Sequence, residues 1–186
     1  MGKLIYSMLV SADGFVNRPD RSFDWADPDD EVLAFITERQ QAVGAYLYGR
    51  RYYEVMTNWA DLRSVPGLSD VDYRFSDVWN ATPKYVFTRS LAHPPTPNTH
   101  LRTEIDVDEI RALKESSEKH VTVEGTEIAR VCLEAGLVDG ISAYVVPIAT
   151  GGGTPFFPAG IALNLRLTDA HSFASGIVNL RYAVQH

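Results

Sequence analysis

Cysteine is almost absent from this chain of 186 residues. The single Cys132 excludes an internal disulfide and suits a reducing compartment. Histidine is sparse, and His93, His100, His120, His171 and His186 show no ligand-like spacing, so no metal site is expected. Positive charge is short as well: 17 Lys and Arg stand against 24 Asp and Glu, a net charge of −7. The basic residues are scattered, with only Arg50 and Arg51 side by side. An acidic surface repels nucleic acid and anionic lipid, which argues against both as partners. No apolar run approaches the roughly eighteen residues of a membrane span, and the first residues form no signal peptide. The expected location is the cytoplasm.

What is present reads as one globular domain over residues 1–186, with 45% hydrophobic and 22% charged residues. A chain of this length buries roughly 70% of its unfolded surface. An apolar, partly alternating run from Lys3 to Val10 predicts a strand that breaks at Asp13-Gly14. A helix is expected to start at Asp27 or Pro28, with acids at its amino end. The pattern then predicts a strand over 45–49, a helix over 50–59, and a strand over 84–88. Residues 61–80 between them read as irregular or partly helical. Further on come a strand at 100–105, a helix at 106–118, a strand at 120–123, a helix from Thr126 stopped by Gly136, and a strand at 141–148. Two alternating runs joined at Ser175-Gly176 close the chain as an antiparallel hairpin. The implied fold is α/β: a mixed, mostly parallel sheet with helices on both faces.

In such sheets ligands bind where carboxyl ends of strands lead into helices. At "YLYGRRYYE" Gly49 ends a strand and Arg50 and Arg51 open a helix. They are either a solvated pair or forks for a phosphate. At "VTVEGTEIA", Gly125 and Thr126 form another such turn, an ordinary cap or a phosphate-holding one. Asp13 in "SADGF" either makes a turn with Gly14 or faces a site, and Asp30 in "FDWADPDD" either complements a helix dipole or meets a reducible heterocycle. The three glycines of "VVPIATGGGTPFFPAG" invite a phosphate-cradle reading. Pro155 and Pro158 let no helix begin there and no Lys-Ser or Lys-Thr follows, so a Walker-type loop is not expected. Cys132 lies on an apolar helix face and is expected in the core.

Together "SADGF", "LYGRRYYEVM", "VFTRSL" and "LEAGLVDGISAYVVPIATGGGTPFFP" resemble the dihydrofolate reductase-like superfamily. The resemblance is to its branch of riboflavin-biosynthesis reductase domains and their stand-alone bacterial relatives. It implies a three-layer dihydrofolate reductase-like fold, a homodimer, and NADPH as hydride donor to a small heterocyclic substrate. Gly49, Arg50 and Arg51 would meet the phosphates; Thr88, Arg89 and Ser90 would lie along the adenosine, with Arg89 reading a 2′-phosphate. Gly125, Thr126 and Glu127 would open the helix under the pyrophosphate, and the glycine triplet would shape the rim. Asp13 would sit near the nicotinamide, and Asp30 would be the substrate-side carboxylate.

Two departures stand out. Glu124 occupies a position where relatives usually carry glycine, and its charge would repel a pyrophosphate. Gly140 replaces the usual Glu after Asp139. No deaminase zinc motif accompanies the reductase-like segments. The alternative to a reductase is a nucleotide- or ligand-binding module that keeps the fold without turnover.

Overall fold

The computed structural model describes residues 2–185. Its centre is one eight-stranded sheet in the order β4-β3-β2-β5-β1-β6-β8-β7. The strands are β1 (Leu4–Ser11), β2 (Val43–Gly49), β3 (Lys84–Phe87), β4 (Thr99–Arg102), β5 (His120–Glu124), β6 (Gly140–Val146), β7 (Asn164–Ser172) and β8 (Val178–Gln185). The first six pair in parallel, and β8 and β7 add an antiparallel hairpin. The expected α/β architecture is therefore present.

Pleating sends successive side chains to opposite faces, and the two faces differ in chemistry. Leu4, Tyr6, Met8 and Val10 of β1, Val121 and Val123 of β5, and Ile141 and Ala143 of β6 build one apolar face. It packs on α4 (Val107–Ser116) and α5 (Thr126–Glu134). α5 buries Ile128, Ala129, Cys132 and Leu133, a stripe at helical spacing. Gly136, at φ 65°, ends it in the left-handed conformation that glycine adopts without strain. On the other face lie α1 (Asp30–Gln40), α2 (Arg50–Met56) and α3 (Asp70–Ala81). Here Tyr46, Tyr48, Tyr53, Phe75 and Trp79 form an aromatic cluster.

The start of α1 differs from expectation. α1 begins at Asp30, because Asp29 is extended and its carboxylate accepts from Val32 N, which makes Asp29 the cap and leaves Pro28 outside. The segment over 61–80 holds a full helix, α3, started by a reciprocal capping box between Ser69 and Asp72. That Ser-x-x-Asp spacing is readable in the sequence.

The glycine triplet packs against the turn after β1. Val16 N donates to Thr154 O at 2.9 Å and Phe156 N to Gly14 O at 2.9 Å. Phe156 stacks on Tyr6 at 4.4 Å, and the Tyr6 hydroxyl donates to the Phe156 carbonyl. Gly153 has φ 135°, and a Cβ there would lie 1.9 Å from the Asn17 carbonyl oxygen. Gly151 also has positive φ, but open space around it. Gly153→Ala should therefore cost at least about 2 kcal/mol, and Gly151→Ala about 1. Urea unfolding of the two variants measures the difference; equal losses would mean that the loop does not dock this way.

Candidate functional site

Between the second sheet face and α1, α2 and α3 lies a cavity of about 180 Å³. Its wall is apolar: Leu33 and Ile36 of α1, Val55 and Met56 of α2, Trp59, and Phe75 of α3. Its floor is polar, because the same pleat that buries Tyr6 and Val123 on one side turns Ser7, Thr122, Glu124, Ser142 and Tyr144 to the other. Strand register sets Ser7 beside Ser142, and Tyr48 beside Glu124.

Glu124, the last residue of β5, is 7% exposed. The one hydrogen bond to its carboxyl is from Thr122 Oγ1, long at 3.3 Å, and no described cation pairs with it. Burial pushes the carboxyl up to about 8, against a weaker opposing effect of Thr122. At neutral pH Glu124 is a protonated acid facing a cavity, able to donate a hydrogen bond or a proton. Burial, with the nearby Glu124 charge a smaller cause, also holds the Tyr52 and Tyr48 hydroxyls well above their ordinary value.

The carboxyl ends of β3, β2, β5 and β1 stand in that order across the sheet, which lines up four of the turns singled out in the sequence. Gly49 caps α2 without a side-chain hydrogen bond, and Gly125 does the same for α5 at φ 131°. A Cβ on Gly125 would sit 3.2 Å from Gly49 N, so the two turns meet backbone to backbone. Arg50 pairs with Glu54 at 2.7 Å, whereas Arg51 is exposed and makes no ion pair among the described residues. Thr88 Oγ1 accepts from Ser90 N and Leu91 N, which folds the turn after β3, and Arg89 and Ser90 are exposed. Thr126 opens α5 half-buried, and Glu127 is exposed. The uncapped amides of α5 and the glycine-to-glycine contact fit a dinucleotide's phosphates.

Neither acid singled out in the sequence lines the cavity. Asp30 is exposed at the first position of α1, where its carboxylate accepts from Ser69 Oγ at 3.2 Å. Asp13 anchors the glycine loop: its carboxylate accepts from Ser11 Oγ at 2.6 Å, Thr150 N at 3.0 Å and Gly151 N at 2.8 Å. These bonds, Ser11's foremost, hold it down at about 2. The cavity floor escaped sequence reading, although Glu124 closing the apolar run "VTV" was a visible signal.

A family model, the RibD C-terminal domain, matches residues 2–179. The chain belongs to that family. Membership places it among the dihydrofolate reductase-like oxidoreductases. Solved structures share the fold at low identity. A protein assigned to riboflavin biosynthesis from Shewanella sp. PV-4 matches with a TM-score of 0.71 and 15% identity, over 100% of both chains. Acinetobacter baumannii RibD matches with a TM-score of 0.68 and 16% identity; all of this chain covers 58% of that one. Enterococcus faecalis dihydrofolate reductase, solved with NADP(H), matches with a TM-score of 0.64 and 14% identity over 100% of this chain and 98% of that one. No curated protein sequence matches. No helix among the described residues is long and apolar enough to cross a membrane.

The two carboxyls have opposite effects on stability. Glu124 keeps its proton to about pH 8 when folded but to about 4.5 when unfolded. The folded chain then binds more protons across that window, and stability falls as pH rises through it, by up to about 1.4 kcal/mol per pH unit. Asp13, with its folded value lowered from 3.8 to about 2, contributes stability present above the unfolded value and lost as pH falls through the folded one. In urea titrations Glu124→Gln should flatten the fall between pH 5 and 8, and Asp13→Asn should remove a loss below pH 4. A Glu124→Gln profile parallel to wild type would mean that the carboxyl is solvated or paired.

Proposed function

We propose that the chain is an NADPH-dependent reductase of a small planar nitrogen heterocycle, of pyrimidine or pterin type, bound in the cavity. The observation that carries this is the buried Glu124 carboxyl on the cavity floor, without an ion pair among the described residues and next in the chain to the Gly125 turn. NADPH, when bound, supplies the hydride. Gly49, Gly125 and the first amides of α5 would hold its phosphates with Arg51, and Arg89 would meet the 2′-phosphate. Thr88 and Ser90 shape that turn, and Thr126 and Glu127 begin the helix beneath.

A flat ring suits a chamber with an apolar wall and a polar floor. Thr122 and Glu124 bond its edge, Tyr52 and Trp59 help to exclude water, and Glu124 gives a proton to the ring nitrogen as the adjacent carbon gains hydride. Holding the ring in one pose supplies much of the acceleration. In this reading Glu124 takes the substrate-facing role that the sequence suggested for Asp30, and Asp13 acts by fixing the rim of the glycine loop.

The alternative of a binding module without turnover drew on repulsion between Glu124 and a pyrophosphate. A buried carboxyl that is uncharged at neutral pH and turned into the cavity exerts no such repulsion. The same proposal includes a cytoplasmic homodimer: the buried, unpaired Cys132 suits a reducing compartment, and the outer strand β7 leaves Leu167 53% exposed.

Fluorescence titration should show saturable binding that prefers NADPH over NADH, and Arg89→Ala should weaken NADPH about tenfold while leaving NADH nearly unchanged. Equal weakening of both would remove the Arg89 assignment. With a dihydropterin or pyrimidine acceptor, absorbance at 340 nm should fall, with an alkaline limb near pH 8 that disappears in Glu124→Gln. Absence of both NADPH binding and turnover would sink the reductase reading.

A further inference from the structure

The end of the cavity away from Glu124 is chemically unlike the Glu124 end. It is lined by His120, Gln40, Arg39 and Arg181. Arg181 lies on β8 opposite Ser142 of β6, in the same cross-strand row that leads through Ser7 toward Glu124. Its charge reaches both His120, which burial and Lys3 lower more strongly, and Tyr144, which burial raises against Arg39, Ser142 and then Arg181. Yet its guanidinium has no ion pair or side-chain hydrogen bond among the described residues.

The reason lies in its neighbour. Asp169 of β7 is the register partner of Arg181, and opposed residues of an antiparallel pair share a face. The Asp169 carboxylate instead bonds Arg39 Nη2 at 3.0 Å, across a register shift between Leu167 and Asp169. Arg39, with its guanidinium stacked 4.2 Å over Phe35, is left with a buried Nε that has no acceptor. Two guanidinium groups thus bring unused donors to one end of the cavity, in a chain whose net charge is −7. A half-buried arginine without a protein partner is free to meet an anionic ligand, which supplies the acceptor.

We propose that this end is an anion subsite, and that the substrate is a heterocyclic carboxylic acid whose carboxylate, borne on the ring itself, meets Arg181 while the ring edge meets Glu124. The inference rests on the reductase reading and names the substrate class within it. The planar fork of arginine matches a carboxylate in two parallel hydrogen bonds. A carboxylate on the ring keeps both the anion and the ring edge inside the cavity, whereas a long charged tail would lead out through its open side. About 180 Å³ is below the roughly 300–1,000 Å³ of pockets that take drug-sized ligands. The protonated Glu124 makes the same choice from the other end, since a neutral acid accepts a neutral ring edge and leaves the negative charge to the arginines. Arg181 is then a specificity-determining residue, remote from the hydride-accepting carbon.

The test is calorimetric titration of the NADPH-saturated protein with two matched pairs, pterin against pterin-6-carboxylate and uracil against uracil-6-carboxylate, with uridine 5′-phosphate as a long-tailed anion. The expected result is that at least one acid binds about tenfold or more tighter than its parent, and that uridine 5′-phosphate does not exceed the uracil acid. Arg181→Gln should erase that preference and leave the parent's affinity unchanged, a result that misfolding would not give. Arg181→Lys should restore part of it. Glu124→Gln should weaken parent and acid alike.

Parents and acids binding wild type equally would overturn the subsite and leave the reductase reading standing. So would a preference that survives Arg181→Gln. Tighter binding of uridine 5′-phosphate than of the uracil acid would move the anion onto a tail and overturn the ring-carboxylate assignment. If no heterocycle binds at all, the reductase reading falls and takes this inference with it.

Discussion

The twofold period of the central strands is the constraint on which the rest depends. One residue of each pair along β1, β5 and β6 faces α4 and α5, and the other faces the cavity. On the first side the row is apolar, so that side is a buried core packed on α4 and α5. On the second the same strands present Ser7, Thr122, Glu124, Ser142 and Tyr144. A register slip of one residue would exchange the two sets and bury the polar row against α5. Register is therefore under strong selection by burial alone, and the chemistry of the cavity floor is protected by the hydrophobicity of the opposite face.

A similar economy ties the rim of the site to the fold. The Asp13 carboxylate satisfies the amides of Thr150 and Gly151, and Asn17 reaches Thr154 from the same turn, bonding its amide and its hydroxyl. The loop after β6 and the turn after β1 are thus one unit, built over the paired carboxyl ends of those strands. The glycines serve this docking, since Gly153 must pass where any side chain would strike the Asn17 carbonyl. A stretch that looked like an anion cradle is a backbone joint. The less conspicuous Gly125, pressed against Gly49, leaves the first amides of α5 without a side-chain cap.

Much of the fold was legible in the sequence because its signals are local. Alternation marked the strands, Gly136 the end of α5, and Ser175-Gly176 the closing hairpin. α3 is instructive: the segment read only as irregular or partly helical, although the capping box at Ser69 and Asp72 marks where its helix starts. The candidate site was less legible because cavities are made by elements distant in the chain. Glu124, Arg181 and Leu33 share a chamber only once β5, β8 and α1 have been assembled. No spacing rule could place Asp30 outside that chamber either, for its exposure follows from Asp29, one residue earlier, having taken the cap.

Among the described residues, a buried carboxyl without a cation beside an open chamber is unfavourable for stability, and so is the buried Arg39 Nε without an acceptor. A core built only for stability would exchange them for leucine and valine, as the other face of the same sheet has done. The chain breaks the rule on one face and obeys it on the other, and local violations of this kind concentrate where a ligand completes the set of contacts. Such an arrangement is tolerable because the opposite face buries its own apolar cluster against α4 and α5. Occupancy would then return stability to the folded state by mass action, and the groups most costly in the empty chamber are those with the most to gain from a ligand.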